Sequence, residues 1–296
     1  MFFNMVAAET ADWVGNLTYQ EFVDLVRTRI NPELWSHDFY PIQITRNTKE
    51  KYLRPEFYKY LTVYHNLLAQ TGKPFWAFSM CTPHYDYPTP TKSDLTFEAF
   101  SALAYGAKGI VYYSYSLTYG LVHEHEYKSA PVNEKGEITS IWSIVKSVNA
   151  EINKYSELFA KSEVAHVGHI GVIPVGAEGI SFPLGCVESV GFANPLKSSG
   201  CLVSCMRVLN RDQGGNPRPT IVSLLVLVNQ SPFREIDIKV KIKDLNSWTI
   251  NAVTPNIQDG KYDKHEKIEY ECNLAAGGYA IFQIVSKIGA LISPFE

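Results

Sequence analysis

GKPFWAFSMCTPHYDYPTPTKSDLTFEAFSALAYGAKGIVYYSY, Gly72 to Tyr115, holds two short apolar and aromatic runs, Pro74 to Cys81 and Gly109 to Tyr115. Each follows a turn residue and reads as a strand. Between them Ser93 is placed to cap a helix in which Leu95, Phe97, Phe100, Leu103 and Ala104 recur at helical spacing, with Gly106 as the C-terminal stop. Strand, helix, strand at this spacing predicts parallel strands joined by a right-handed crossover. Neither strand alternates polar with apolar residues, so both faces are expected to be covered, as in an α/β barrel or a doubly wound sheet. In such sheets ligands bind beyond the carboxyl ends of the strands. Here those ends carry Cys81, His84, Tyr85, Asp86 and Tyr87 after the first run and Tyr112, Tyr113 and Tyr115 in the second.

Working outward, the unit repeats. Met1 to Ala7 is a strand-like run, and Thr18 with Glu21 three residues later forms a capping box before Phe22, Leu25 and Val26. Leu34 to Ile42, LWSHDFYPI, reads as one buried strand closed by Pro41, and Pro55 to Gln70 as a helix ended by Gly72. Four strands near residues 2, 36, 76 and 111 are thus about 35 residues apart, the step of a βα repeat. A last helix is expected from Ile138 to Phe159, after a polar loop, Leu117 to Glu137.

Beyond about Glu163 the helical period stops. Short β-branched runs take over: His169 to Pro174, Leu202 to Leu209, Thr220 to Asn229, Ile236 to Ile242, Trp248 to Val253, Lys267 to Tyr270 and Gly278 to Val285. This pattern predicts an antiparallel β-sandwich. The alternating lysines of IDIKVKIK mark an expected edge strand. The predicted fold class is therefore α/β plus all-β, with domains 1–163 and 164–296 and a boundary between Ser162 and His166.

Composition bounds the function. The 296 residues are 46% hydrophobic and 13% aromatic, enough for a substantial core. The net charge is −3 and no basic stripe runs along the chain, which argues against a nucleic-acid partner. The longest apolar runs fall far short of the roughly 20 residues of a membrane span, so no membrane partner is expected. Nor does the start, MFFNMVA, read as a signal peptide; the chain is expected to begin inside a fold. The compartment stays open, export of a longer parent included. Five cysteines form no CxxC pair, so idle buried thiols are expected, and Cys201 and Cys205 could react together only across a turn.

NPELWSHDFYPI, GKPFWAF, LTFEAFSALAYGAKGIVYYSY and NEKGEITSIWSIVKSVNAEI resemble the second half of the catalytic barrel of β-galactosidase-like glycoside hydrolases, the family-42-like group of clan A. LLVLVNQSP and LAAGGYAIFQI are similar to the β-domain attached to such barrels. The resemblance implies a partial (β/α) barrel, strands five to eight, and an activity on β-linked hexosides, galactosides foremost. Its partner would be an oligosaccharide or β-glycoside, and it implies no cofactor. Enzymes of this clan are retaining, with two carboxyl groups roughly 5 to 5.5 Å apart. The acid/base glutamate of the family ends strand four, which would precede Met1. The nucleophile ends strand seven, where this chain has Ser79, Met80 and Cys81. A fragment inactive on its own is the expected consequence, and the alternative is a non-catalytic carbohydrate-binding pseudoenzyme. An open α/β domain of unrelated function is the third, weaker option.

Asp38 is the best-placed carboxylate and the candidate catalytic group, with its neighbours His37 and Tyr40 as candidate substrate contacts. His84 and Asp86 are candidates for sugar contact, Asp86 also reading as a turn residue. Trp76, Tyr113 and Tyr115 suit stacking on a pyranose face, Trp76 equally suits the core, and Asn4 could reach the same mouth. Glu9 and the run His123 to Glu126 read as solvated loop rather than as metal ligands; no metal is expected. Asn16-Leu-Thr18 and Asn229-Gln-Ser231 match the glycosylation sequon. Four parallel strands leave two open edges, through which copies are expected to associate.

Overall fold

A computed structural model describes residues 2–6, 15–117, 126–194, 199–209, 222–258, 260–263, 267–287 and 294–295. The chain divides into two compact units, Met1–Leu95 with Tyr105–Asn149, and Thr96–Ala104 with Ala150–Glu296.

The first unit holds a parallel sheet of β1 (Phe2–Val6), β2 (Leu34–Asp38), β5 (Phe75–Met80) and β6 (Gly109–Tyr113). A small antiparallel hairpin, β3 (Ile42–Ile44) with β4 (Lys51–Leu53), is inserted after β2. The predicted single strand Leu34 to Ile42 is therefore two: pairing with β1 and β5 ends by Asp38, and Pro41 leads into the hairpin. Helix α1 (Tyr19–Arg29) starts at the predicted capping box: Thr18 accepts from the Glu21 N–H, and the Glu21 carboxylate accepts from the Thr18 N–H at 2.7 Å. Helix α2 (Phe57–Thr71) ends where Gly72 turns left-handed at φ 67°, a conformation cheap only for glycine. Helix α3 (Lys92–Ala104) is capped by Thr91 rather than Ser93: the Thr91 hydroxyl accepts from the Asp94 N–H and the Asp94 carboxylate from the Thr91 N–H. Thr-x-x-Asp performs here the job of a capping box.

Strand order β1-β2-β5-β6 follows chain order, so the sheet is singly wound and does not reverse as a doubly wound sheet does. Helix α2 lies on the face that Trp35, His37 and Phe75 present. Its Tyr64 ring is 5.1 Å from the His37 ring and 5.3 Å from Phe75, and its hydroxyl donates to the Ser36 carbonyl at 2.8 Å. Tyr19 of α1 donates in turn to the Tyr64 hydroxyl, at 2.9 Å.

Helix α4 (Ser140–Ala160), which enters the second unit at Ala150, leads into β7 (Ser162–Ile170). Two antiparallel sheets follow, one ordered β12 (Trp248–Ala252), β15 (Tyr279–Ser286), β10 (Val222–Asn229), β9 (Cys201–Val208), β7, the other β13 (Lys261–Asp263), β14 (Lys267–Leu274), β11 (Ile236–Ile242), β8 (Val187–Phe192). One apolar core joins inward residues of both, among them Val203, Leu225, Ile238, Tyr270 and Phe282. Phe100 of α3 stacks on Tyr279 with centroids 3.5 Å apart. The lysine-bearing strand β11 lies inside its sheet, paired on both sides, and is not an edge. Lys239 and Lys241 instead meet Glu269 and Glu271 across the ladder. Cys201 and Cys205 lie on one strand with no turn between them.

Candidate functional site

Side chains alternate along a strand, so helix α2 takes His37 while Ser36 and Asp38 point to the opposite face. There the register puts Asn4 level with Ser36. Ser36 Oγ donates to Asn4 Oδ1 at 2.5 Å, and Asn4 Nδ2 donates to Asp38 Oδ2 at 2.9 Å. The Tyr40 phenol also lies close enough to Asp38 to feel its charge. Burial, reinforced by the Asp38 charge, pushes Tyr40 well above the usual phenol range, so it stays a donor.

Further across this face the register runs Ser36, Trp76, Gly109. Trp76 is 39% exposed and tilted against Phe2 at 6.1 Å. Its indole lies over Gly109, where a Cβ would come within 2.8 Å of the ring. Absence of a side chain at 109 is what seats the indole.

At the carboxyl ends of the strands five aromatic side chains close a ring. Centroid distances are 5.6 Å for Tyr40 to Tyr87, 5.0 Å for Tyr87 to His84, 4.3 Å for His84 to Tyr127, 6.2 Å for Tyr127 to Tyr113 and 5.9 Å for Tyr113 to Tyr40. His84 and Tyr127 are 3° from parallel, and the hydroxyls of Tyr113 and Tyr127 are 2.6 Å apart. His84 Nδ1 lies 2.8 Å from the Thr82 carbonyl, which only accepts, so Nδ1 carries the proton. Thr82 Oγ1 donates to the Ser114 carbonyl at 2.9 Å and accepts from the Ser114 N–H at 2.8 Å, joining the segments that leave β5 and β6. Arg54, buried and set 4.0 Å over the Phe39 ring, donates to the Tyr40 carbonyl and the Tyr87 hydroxyl. It braces two members of the ring at once.

The predicted residues thus divide. Asn4, Asp38, Tyr40, His84 and Tyr113 belong to one connected array, and Trp76 shares the open sheet face with Asn4 and Asp38. His37 faces away, 1% exposed among Phe39, Phe57 and Tyr64, with no hydrogen-bond partner on either ring nitrogen among the described residues; burial lowers its pKa to about 3. Asp86 is bound by Arg46, whose Nε is 3.0 Å from both carboxylate oxygens. Tyr115 is 64% exposed beyond the end of β6. At the position where the resemblance places a nucleophile, Ser79, Met80 and Cys81 are all buried. Tyr127 and Arg54 were not foreseen, one sitting in a loop read as solvated and the other beside a helix start. No metal-binding group of His, Cys, Asp and Glu occurs among the described residues. Glu9 and His123 to His125 lie outside them. Chemically, the array offers stacking surface, phenolic hydroxyls and one anchored carboxylate.

No family model and no curated protein matches the chain. Among solved structures it is similar to a glucosidase from Croceicoccus marinus, at 10% identity and a TM-score of 0.33, over 95% of this chain. The match spans 63% of the glucosidase. A likeness this weak carries no argument.

Proposed function

We propose that this chain is a glycoside hydrolase-like protein whose parallel α/β unit binds a β-linked hexoside, a galactoside foremost. The observation that carries the reading is the aromatic ring of Tyr40, Tyr87, His84, Tyr127 and Tyr113 beside the Asn4-held carboxylate of Asp38. Aromatic faces stack on the C–H side of a pyranose, while a carboxylate with fixed hydrogen bonds accepts from sugar hydroxyls. A singly wound sheet in chain order supports placing these strands as strands five to eight of a (β/α) barrel, with residues 164–296 as the attached β-domain. The outer strands β1 and β6 then offer edges for association between copies.

A second reading, recognition without hydrolysis, is favoured by the buried Ser79, Met80 and Cys81 at the nucleophile position. The test is saturation-transfer NMR with methyl β-galactoside and methyl β-glucoside, run beside hydrolysis of the nitrophenyl β-glycosides. Binding that weakens about tenfold in Asp38→Asn, the loss of one charged hydrogen bond, is the expected result. Binding without turnover selects recognition. Absence of transfer from either sugar at tens of millimolar overturns both readings.

A further inference from the structure

The segment that follows β5 turns at Tyr85. The Tyr87 N–H donates to the His84 carbonyl at 2.8 Å, which closes a four-residue turn over His84 to Tyr87, and Tyr85 inside it takes φ 46°. Left-handed backbone is cheap for glycine and tolerable for asparagine or aspartate; for a bulky ring it is strained. Among the described residues the other non-glycine positions of this kind are Asn16, Asn31, Lys49, Glu126 and Asp244, so Tyr85 alone is aromatic. The turn also leaves Tyr85 48% exposed, although a large ring gains most from burial. Its neighbours are pinned on both sides. His84 is tied to the Thr82 carbonyl, the Asp86 carbonyl accepts from the Ile44 N–H at 2.9 Å, the Asp86 carboxylate is held by Arg46, and the Tyr87 hydroxyl by Arg54. A strained residue persists where its surroundings fix it in this way, and such positions collect at ligand sites. The backbone of the turn would be served better by Asn or Gly, so the reason for a tyrosine lies in its side chain.

That side chain stands beside the candidate site. Its ring centroid is 5.5 Å from that of His84, with the planes at 61°, so it extends the aromatic array by one exposed member. One edge-on contact of this kind is of the same order as the backbone strain and opposite in sign, which leaves the exposed ring surface unaccounted for. We propose that Tyr85 is the platform of a second sugar subsite, so that the site takes a β-linked disaccharide or a longer chain, with one hexose at the array of Tyr40, Tyr87, His84, Tyr127 and Tyr113 and the next stacked on Tyr85. This rests on the hexoside reading and narrows its substrate from a single sugar to an oligosaccharide. A tyrosine suits the position, because its face meets the C–H side of a pyranose while its hydroxyl stays in water.

The experiment compares sugars of one and two residues by saturation-transfer NMR titration, methyl β-galactoside and methyl β-glucoside against methyl β-lactoside and methyl β-cellobioside. The unaltered chain is expected to bind at least one disaccharide about five- to tenfold more tightly than either monosaccharide, the worth of one stacked ring. Tyr85→Asn keeps the turn and is expected to abolish that margin, to leave the monosaccharide Kd unchanged and to unfold at equal or higher urea, because the strain is relieved. Tyr85→Gly is expected to do the same, and Tyr85→Phe, which keeps the ring, to retain the margin. Monosaccharide binding without a disaccharide margin, a margin that survives both Tyr85→Asn and Tyr85→Gly, equal weakening of both sugar lengths, or a lowered urea midpoint in both variants overturns the subsite alone. Absence of transfer from all four sugars overturns the hexoside reading and the subsite with it.

Discussion

The imidazole of His84 lies flat against the phenol of Tyr127, centroids 4.3 Å apart and planes 3° from parallel. Tyr127 is held in that position by its hydroxyl contact with Tyr113, at 2.6 Å. Tyr127→Phe keeps the stacking surface and removes the hydrogen bond, so it is expected to destabilise the first unit by about 0.5–1.5 kcal/mol. Urea unfolding checks this. A larger loss would mean that the hydroxyl has partners beyond Tyr113.

Gly109 carries the Trp76 indole. A Cβ there comes within 2.8 Å of the ring, so Gly109→Ala is expected to displace the indole and cost about 1–3 kcal/mol. The displacement should appear in near-ultraviolet circular dichroism and vanish in a Trp76→Phe background. Unchanged dichroism would show that the ring has room to slide.

Acid should weaken the first unit through His37. Burial lowers its pKa to about 3, whereas the unfolded chain takes up a proton near about 6.5. Its contribution is therefore complete above the unfolded value and drains away as pH falls from about 6.5 towards 3, by up to about 1.4 kcal/mol per pH unit. His37→Leu is expected to flatten the stability profile over that window, measured as urea midpoints. His169, also lowered to about 3, contributes the same sign in the second unit and stays as the internal reference. An unaltered profile in His37→Leu would assign the acid sensitivity elsewhere.

Asn229 is fully buried and its amide donates to the carbonyls of Arg234, Leu274 and Ala275 while its own carbonyl accepts from the Ser231 N–H. Asn229→Ala strands these groups and is expected to cost about 2–4 kcal/mol. The same engagement leaves the sequon at Asn229 no amide to glycosylate in the folded chain. Expression in a glycosylating host followed by intact mass should find no glycan at this position.

Local signals carried much of this architecture. The Thr18 capping box, Gly72 and the βα spacing each depend on neighbours in sequence, and strands beginning at residues 2, 34, 75 and 109 follow from them. What was missed depends on pairing. VESVGF, with Glu188, Ser189 and Gly191, lacks the apolar run of a strand and becomes β8 only through its ladder with β11. The lysines of β11 looked like edge protection because sequence does not show which strand lies beside them; the glutamates of β14 do. In the site, alternation alone separates His37 from Asp38, since adjacent strand residues face opposite ways. Tyr127 was illegible for a different reason: its partners His84 and Tyr113 reach it through the tertiary fold, and nothing in its own polar segment marks it.

The two-way bond between Thr82 and Ser114 ties the segment leaving β5 to the segment leaving β6. A rim clasped in this way meets a ligand already formed, with little loop-ordering entropy left to lose. Its Ser114 amide, engaged by Thr82, should be among the slowest of the rim to exchange with deuterium. On the proposed sugar-binding reading, closely related sugars would then arrive at similar rates and differ in how long they stay.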